Sequence, residues 1–91
     1  MNTLVLAPAF KRAYKRLLRK HPNLAERVNA TMKQLQADPH SPGLRTHKLT
    51  GECAGKWSCS AGYDLRILFQ IETGPPSEIW LLTIGTHDEV Y

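Results

Sequence analysis

The sequence predicts an α+β domain: a twisted antiparallel β-sheet with an N-terminal two-helix hairpin packed on one face, in the order β-α-α-β-β-β-β. Three observations lead there. Apolar residues recur at helical spacing between Phe10 and Leu35, the second half runs in short β-rich segments, and Gly/Pro turns separate those segments. The chain has 91 residues, 42% of them hydrophobic, which suits a single domain over 1–91 and is too short for two. A chain of this size buries only about 60–65% of its unfolded surface, so a substrate site is expected to be shallow and to lie on the sheet or its rim.

Each element has its own signal. "NTLVLA" is rich in β-formers and reads as the first strand. Pro8 suits the first turn of a helix, where its missing N–H costs nothing. Phe10, Tyr14, Leu17 and Leu18 then form one apolar stripe with cations on the other face. The helix is expected to stop near "KHPN", because the residue before Pro22 is pushed out of the α region. Asn23 with Glu26 three residues on has the form of a capping box, and Leu24, Val28, Met32 and Leu35 continue a second stripe to about Ala37. "ADPHSPG" is loop. Strands follow in "LRTHKL", "KWSCSA", "YDLRILFQI" and "EIWLLTIG", joined by turns in "GECAG" and "ETGPPS". Short connections of this kind pair successive strands antiparallel. One sheet face is expected under the helices and the other left to water or ligand.

Charge narrows the partners. Twelve Lys and Arg against eight Asp and Glu give +4 and a pI near 9.3. Six of the cations, Lys11, Arg12, Lys15, Arg16, Arg19 and Lys20, fall within ten residues, with no acid before Leu24 to balance them. Such a face is either solvated surface or a polyanion-binding stripe. No run of 18 apolar residues occurs and "MNTLVLAPAF" has no basic segment before its apolar stretch, so neither a membrane span nor a signal peptide is expected and the protein is expected to be cytoplasmic. In that reducing compartment Cys53 and Cys59 are expected as free packing thiols. No cluster of His, Cys or acids has ligand spacing, so neither metal nor cofactor is expected.

In a strand, residues two apart share a face. Asp64, Arg66 and Leu68 are therefore expected on the open side, with Leu65, Ile67 and Phe69 under the helices. His47 comes from a neighbouring short strand, and His87 and Tyr91 follow the last one in "IGTHDEVY". If these strands lie side by side, imidazole, guanidinium, carboxylate and phenol converge. RNA strand cleavage needs such parts: a base for the ribose 2′-OH, a cation for the phosphorane, and an acid for the departing 5′ oxygen. Imidazole titrates near working pH, and the arginine fork matches two phosphate oxygens. Arg66 has a plainer alternative as the surface ion-pair partner of Asp64 or Glu78.

Taken together, "HKLTGECAGKWSCSAGYDLRILFQI" and the ending "IGTHDEVY", preceded by the β-α-α opening, resemble the RelE/ParE superfamily of bacterial toxins, in particular its RelE-like, YafQ-like branch. The resemblance spans essentially the whole chain. It implies a RelE-like fold and a type II toxin that cleaves messenger RNA in the ribosomal A site, inhibits translation, and is silenced by a cognate antitoxin. Their complex is expected to be able to contact operator DNA. By position, it implies a catalytic histidine at His87, a base-stacking aromatic at Tyr91, a matching histidine at His47, a strand carboxylate at Asp64 and a transition-state arginine at Arg66. Lys11, Arg12, Lys15, Arg16, Arg19, Lys48 and Lys56 are the candidate RNA contacts. The sequence departs from the branch in offering Ser58, Cys59 and Ser60 where related chains carry a strand histidine, so acid and base stay unassigned between His47 and His87. Two other functions share the scaffold: a ParE-like, non-enzymatic DNA gyrase inhibitor, and an inactive co-repressor bound to its antitoxin.

Overall fold

A computed structural model of the chain describes residues 2–51, 55–62 and 64–90. Strand β1, Thr3–Leu6, leads through Ala7 into helix α1, Pro8–Lys20, with Pro8 opening the first turn as expected. The chain leaves α1 at His21, whose φ of −137° and ψ of 71° obey the constraint set by the following proline. Pro22 then opens a 3₁₀ turn, Pro22–Leu24, that runs directly into α2, Ala25–Ala37. This displaces the expected capping box. Leu24, already helical in its backbone, stands before α2, and no side-chain hydrogen bond caps it.

Both helices turn their apolar stripes to one face of the sheet. Phe10 and Ala13 of α1 and Val28, Thr31 and Leu35 of α2 are buried, with Tyr14, Leu17, Leu24 and Met32 packed at the margin. Leu18 stays outside this cluster, half-buried. Thr31 is accommodated because its hydroxyl donates to the Arg27 carbonyl at 2.9 Å, and Tyr14 ties the helices by donating to Asn29 Oδ1 at 3.1 Å.

The five-stranded sheet has the order β1-β5-β4-β3-β2, where β2 is His47–Lys48, β3 Trp57–Ser60, β4 Leu65–Glu72 and β5 Glu78–Thr86. Four strands form the expected antiparallel meander. The sheet as a whole is mixed, however, because β1 pairs with β5 in parallel. The long excursion through two helices and three strands returns the chain beside β1 in its original direction. A second difference lies at "LRTHKL": a 3₁₀ turn over Pro42–Leu44 leaves Arg45 left-handed, so β2 keeps only two residues.

Between β4 and β5 the register steps from Leu68 opposite Thr83 to Phe69 opposite Leu81, which leaves Leu82 as the bulged residue. The bulge switches which residues of β5 face the helices, from Ile84 to Leu81 and Ile79, and all three are buried with Ile67 and Phe69. Because Phe69 is fully buried at the centre of this layer, Phe69→Ala is expected to lower unfolding free energy by about 3–5 kcal/mol in urea titration, whereas Leu18→Ala costs about 1 kcal/mol or less.

Candidate functional site

Side chains opposite one another in an antiparallel pair project to the same face. Ser60 pairs with Arg66 and Arg66 with Gly85, which makes one row across β3, β4 and β5 on the face away from the helices. One step along the strands, His47 pairs with Ser58, Ser58 with Leu68 and Leu68 with Thr83, a second row on the same face. The face is less open than expected, since Ser58 and Leu68 are buried in it.

Residues His87–Val90 form a single helical turn, α3, directly after β5. A Cβ built at Gly85 would lie 3.1 Å from Glu89 and 3.3 Å from Val90. Thus α3 folds back on the row that carries Arg66, and a side chain at Gly85 would press on it. Glu89 closes the turn by accepting the Thr86 N–H at 2.8 Å, one half of a capping box spelled by Thr86 and Glu89. With Gly85 opposite Arg66 and His87 two residues further on, the α-carbons of Arg66 and His87 lie within about 13 Å. Tyr91 and its expected stacking role lie outside the described residues, as does Cys53.

Asp64 is not a strand residue as expected. It sits in the β3–β4 turn at φ 55°, where the chain reverses between Ala61 and Leu65, bonded by the Ala61 N–H to the Leu65 carbonyl at 2.8 Å. From there Asp64 lines a cleft of about 890 Å³ together with Ser60, Gly62, Arg66 and two arginines that the sequence did not single out, Arg27 of α2 and Arg45. The Arg66 guanidinium donates from Nη1 to the Leu65 carbonyl at 3.1 Å. His47 and His87 lie outside this cleft. His47 is exposed at the far edge, three strand spacings or about 14 Å from β5. Its Nδ1 is 3.2 Å from the Arg45 carbonyl. A carbonyl only accepts, so this contact holds the proton on Nδ1 and leaves Nε2 of the neutral ring free to take one.

The expected RNA-contacting cations are spread over two faces. Lys48 pairs with Trp57, on the helix side of the sheet, and its Nζ sits 5.4 Å from the indole centroid. Lys56, just before β3, is half-buried. Lys11, Arg12, Lys15, Arg16 and Arg19 are exposed on α1, also on the helix side. Arg16 and Lys20 border a second groove of about 610 Å³ between α1 and α3, floored by Leu17, Leu24 and Ile84 and closed by Glu89. The Glu89 carboxyl is held below the usual carboxylate range, first by the Thr86 N–H and hydroxyl, then by Lys20 and Arg16. Cys59 is buried, which pushes its thiol up to about 12 against the opposing pull of the Ile67 backbone and the Arg66 charge. It is a packing residue.

A family model described as bacterial toxin of type II toxin-antitoxin system, YafQ, matches residues 2–91. Among solved structures the chain is similar to YafQ from E. coli strain BL21(DE3), at 13% identity over 100% of this chain and 99% of that one, with a TM-score of 0.83. It is also similar to a YoeB/ParE toxin from Agrobacterium tumefaciens, at 19% identity over 93% and 98% of the two chains and a TM-score of 0.79. The toxin-antitoxin complex RelBE2 from Mycobacterium tuberculosis matches at 20% identity over 94% and 98%, with a TM-score of 0.72. No curated protein gives a significant sequence match.

The cap on α3 gives a pH dependence. A carboxyl lowered in the folded state contributes fully above its ordinary value of about 4.3 and loses that contribution as pH falls through the lowered one. The protection factor of the Thr86 amide, its exchange measured by NMR against the intrinsic rate at each pH, is therefore expected to be high at pH 6 and to fall as pH drops through that lowered value, and Glu89→Ala is expected to show the low protection factor throughout.

Proposed function

The chain belongs to the YafQ family of bacterial toxins of type II toxin-antitoxin systems, and from that premise we propose that it is a metal-independent, ribosome-dependent endoribonuclease that cleaves messenger RNA and so inhibits translation. The observation that carries this reading is the β4–β5 register. It sets Arg66 opposite Gly85, and α3, with His87 at its start, folds back on that same row.

In the proposed reaction the ribose 2′ oxygen attacks the adjacent phosphorus and the bond from phosphorus to the 5′ oxygen breaks. A 2′,3′-cyclic phosphate and a 5′-hydroxyl result. The His47 Nε2 takes the 2′ proton, a role supported by the Nδ1 contact to the Arg45 carbonyl. His87 gives a proton to the leaving oxygen. Arg66 neutralises charge on the phosphorane, with a planar fork suited to two of its oxygens. Asp64 borders the same cleft, where a carboxylate can accept from a ribose hydroxyl or an exocyclic amine. Tyr91 is assigned to stack on a base, an interaction worth roughly 1–3 kcal/mol. The cations of α1 serve ribosomal RNA or an acidic segment of a cognate antitoxin. No helix among the described residues is long and apolar enough to cross a membrane, and the proposed site of action is the cytoplasm.

The test is a purified translation reaction on a defined message, with cleavage mapped at nucleotide resolution. His87→Ala is expected to slow cleavage by about 10²-fold or more with an unchanged melting temperature. Full cleavage by that variant removes His87 from the reaction. If DNA synthesis fails before protein synthesis when the protein is expressed, the gyrase-inhibitor function takes the place of this one.

A further inference from the structure

We propose that the cleft between α2 and the β3–β4 turn is an RNA-backbone channel in which Arg27 and Arg45 each hold a phosphate next to the one at Arg66. The proposal takes its ligand class from the endoribonuclease reading and extends that site to residues that reading does not use.

Three independent features mark the cleft. First, three guanidiniums, from Arg27, Arg45 and Arg66, face a single carboxylate, Asp64, in a space of about 890 Å³. That volume is at the upper end of ordinary ligand sites and takes more than one nucleotide. Among the described residues no hydrogen bond or ion pair engages the guanidinium of Arg27 or Arg45.

Second, the only described non-glycine residues with positive φ, Arg45 at 52° and Asp64 at 55°, both line it. Residues other than glycine seldom take this conformation, and it persists where surrounding structure imposes it, often around a ligand site. At Arg45 the consequence is visible. One residue gives its carbonyl to the His47 ring and borders the cleft with its side chain. The proposed base and the cleft are thereby joined through a single backbone turn.

Third, Arg27 lies closely on the turn. A Cβ built at Gly62 would come within 2.6 Å of Arg27 Cδ and 3.3 Å of its Nε. The arginine stem thus lies against bare backbone at the turn, and its exposed guanidinium borders the cleft. A single strand can follow successive phosphates along an arginine-lined channel. An acidic peptide would meet the same cations, but Arg66, the phosphate ligand of the proposed reaction, lines the same cleft and so favours a polynucleotide there.

The experiment measures binding without chemistry. A fluorescent ten-nucleotide RNA, 2′-O-methylated throughout and so not cleavable, is titrated with the full chain at several salt concentrations and followed by anisotropy. Arg27→Ala and Arg45→Ala are each expected to weaken binding about five- to tenfold at low salt and to reduce the log–log salt slope by about 0.7, the single-strand increment for one phosphate contact. Arg27→Lys is expected to recover most of the loss, since an ammonium still neutralises a phosphate. Lys33→Ala, on α2 but outside the cleft, is expected to leave both quantities unchanged. Melting temperatures of all variants identify any loss that comes from unfolding. Unchanged affinity and slope in folded Arg27→Ala and Arg45→Ala overturn the proposal. So does loss of binding to an acidic peptide with RNA binding intact, which would make the cleft a protein-docking site. Because no bond is cut in this assay, a protein that binds through these arginines yet never cleaves a message on the ribosome sustains the channel and removes the nuclease. Cleavage that survives both substitutions together with full binding does the reverse.

Discussion

The antiparallel pairing of β4 with β5 is the constraint on which the rest of the structure depends. It is set by burial: Ile67 and Ile84 on one side of the bulge, and Phe69 with Leu81 and Ile71 with Ile79 on the other, are matched pairs facing the helices. A slip of one residue would move that set to the opposite face and bring Arg66 into the apolar layer, at a cost far above the total stability of a small domain. The position of Arg66 opposite Gly85 is therefore a by-product of core packing. Gly85 in turn admits α3, and α3 begins at His87.

Much of this was legible because the relevant signals are local. Pro8 and the stripe through Phe10, Tyr14 and Leu17 specify α1, and the alternation of Leu65, Ile67 and Phe69 assigns the buried face of β4. Other features failed for stated physical reasons. Asn23 lost its capping role because Pro22 starts a 3₁₀ turn that merges with α2. The apolar run of β5 hides a bulge at Leu82, since alternation cannot show where a strand changes face when nearly every residue is apolar. The parallel partner of β1 depends on the path of the whole chain and leaves no local trace.

The site was legible in part. Arg66 and His47 fall on the expected face, and His87 begins a turn that folds back on it. Asp64 reaches the cleft from a turn, because Gly62 and Asp64 both have positive φ. Arg27 and Arg45 escaped notice since one sits on a helix and the other in what reads as a strand, and nothing in their spacing says that they meet. The signal for α3 was present: Thr86 and Glu89, at capping-box spacing just past a β-rich run, announce a helical turn. The dense basic stripe lies on α1, whereas Arg27 of α2 and Arg45, before β2, line the cleft with Arg66. The two grooves meet at Arg27, Gly62 and Asp64, which line both.

The most direct measurement is a structure of the protein on a ribosome whose A-site message is methylated at the reacting 2′ oxygen. The expected result has the scissile phosphodiester against the Arg66 guanidinium, His47 Nε2 toward the 2′ oxygen and His87 toward the 5′ oxygen. A message lying along α1, with Arg66 and His87 both remote from any phosphate, would contradict the central claim that core-set strand register builds the reactive face.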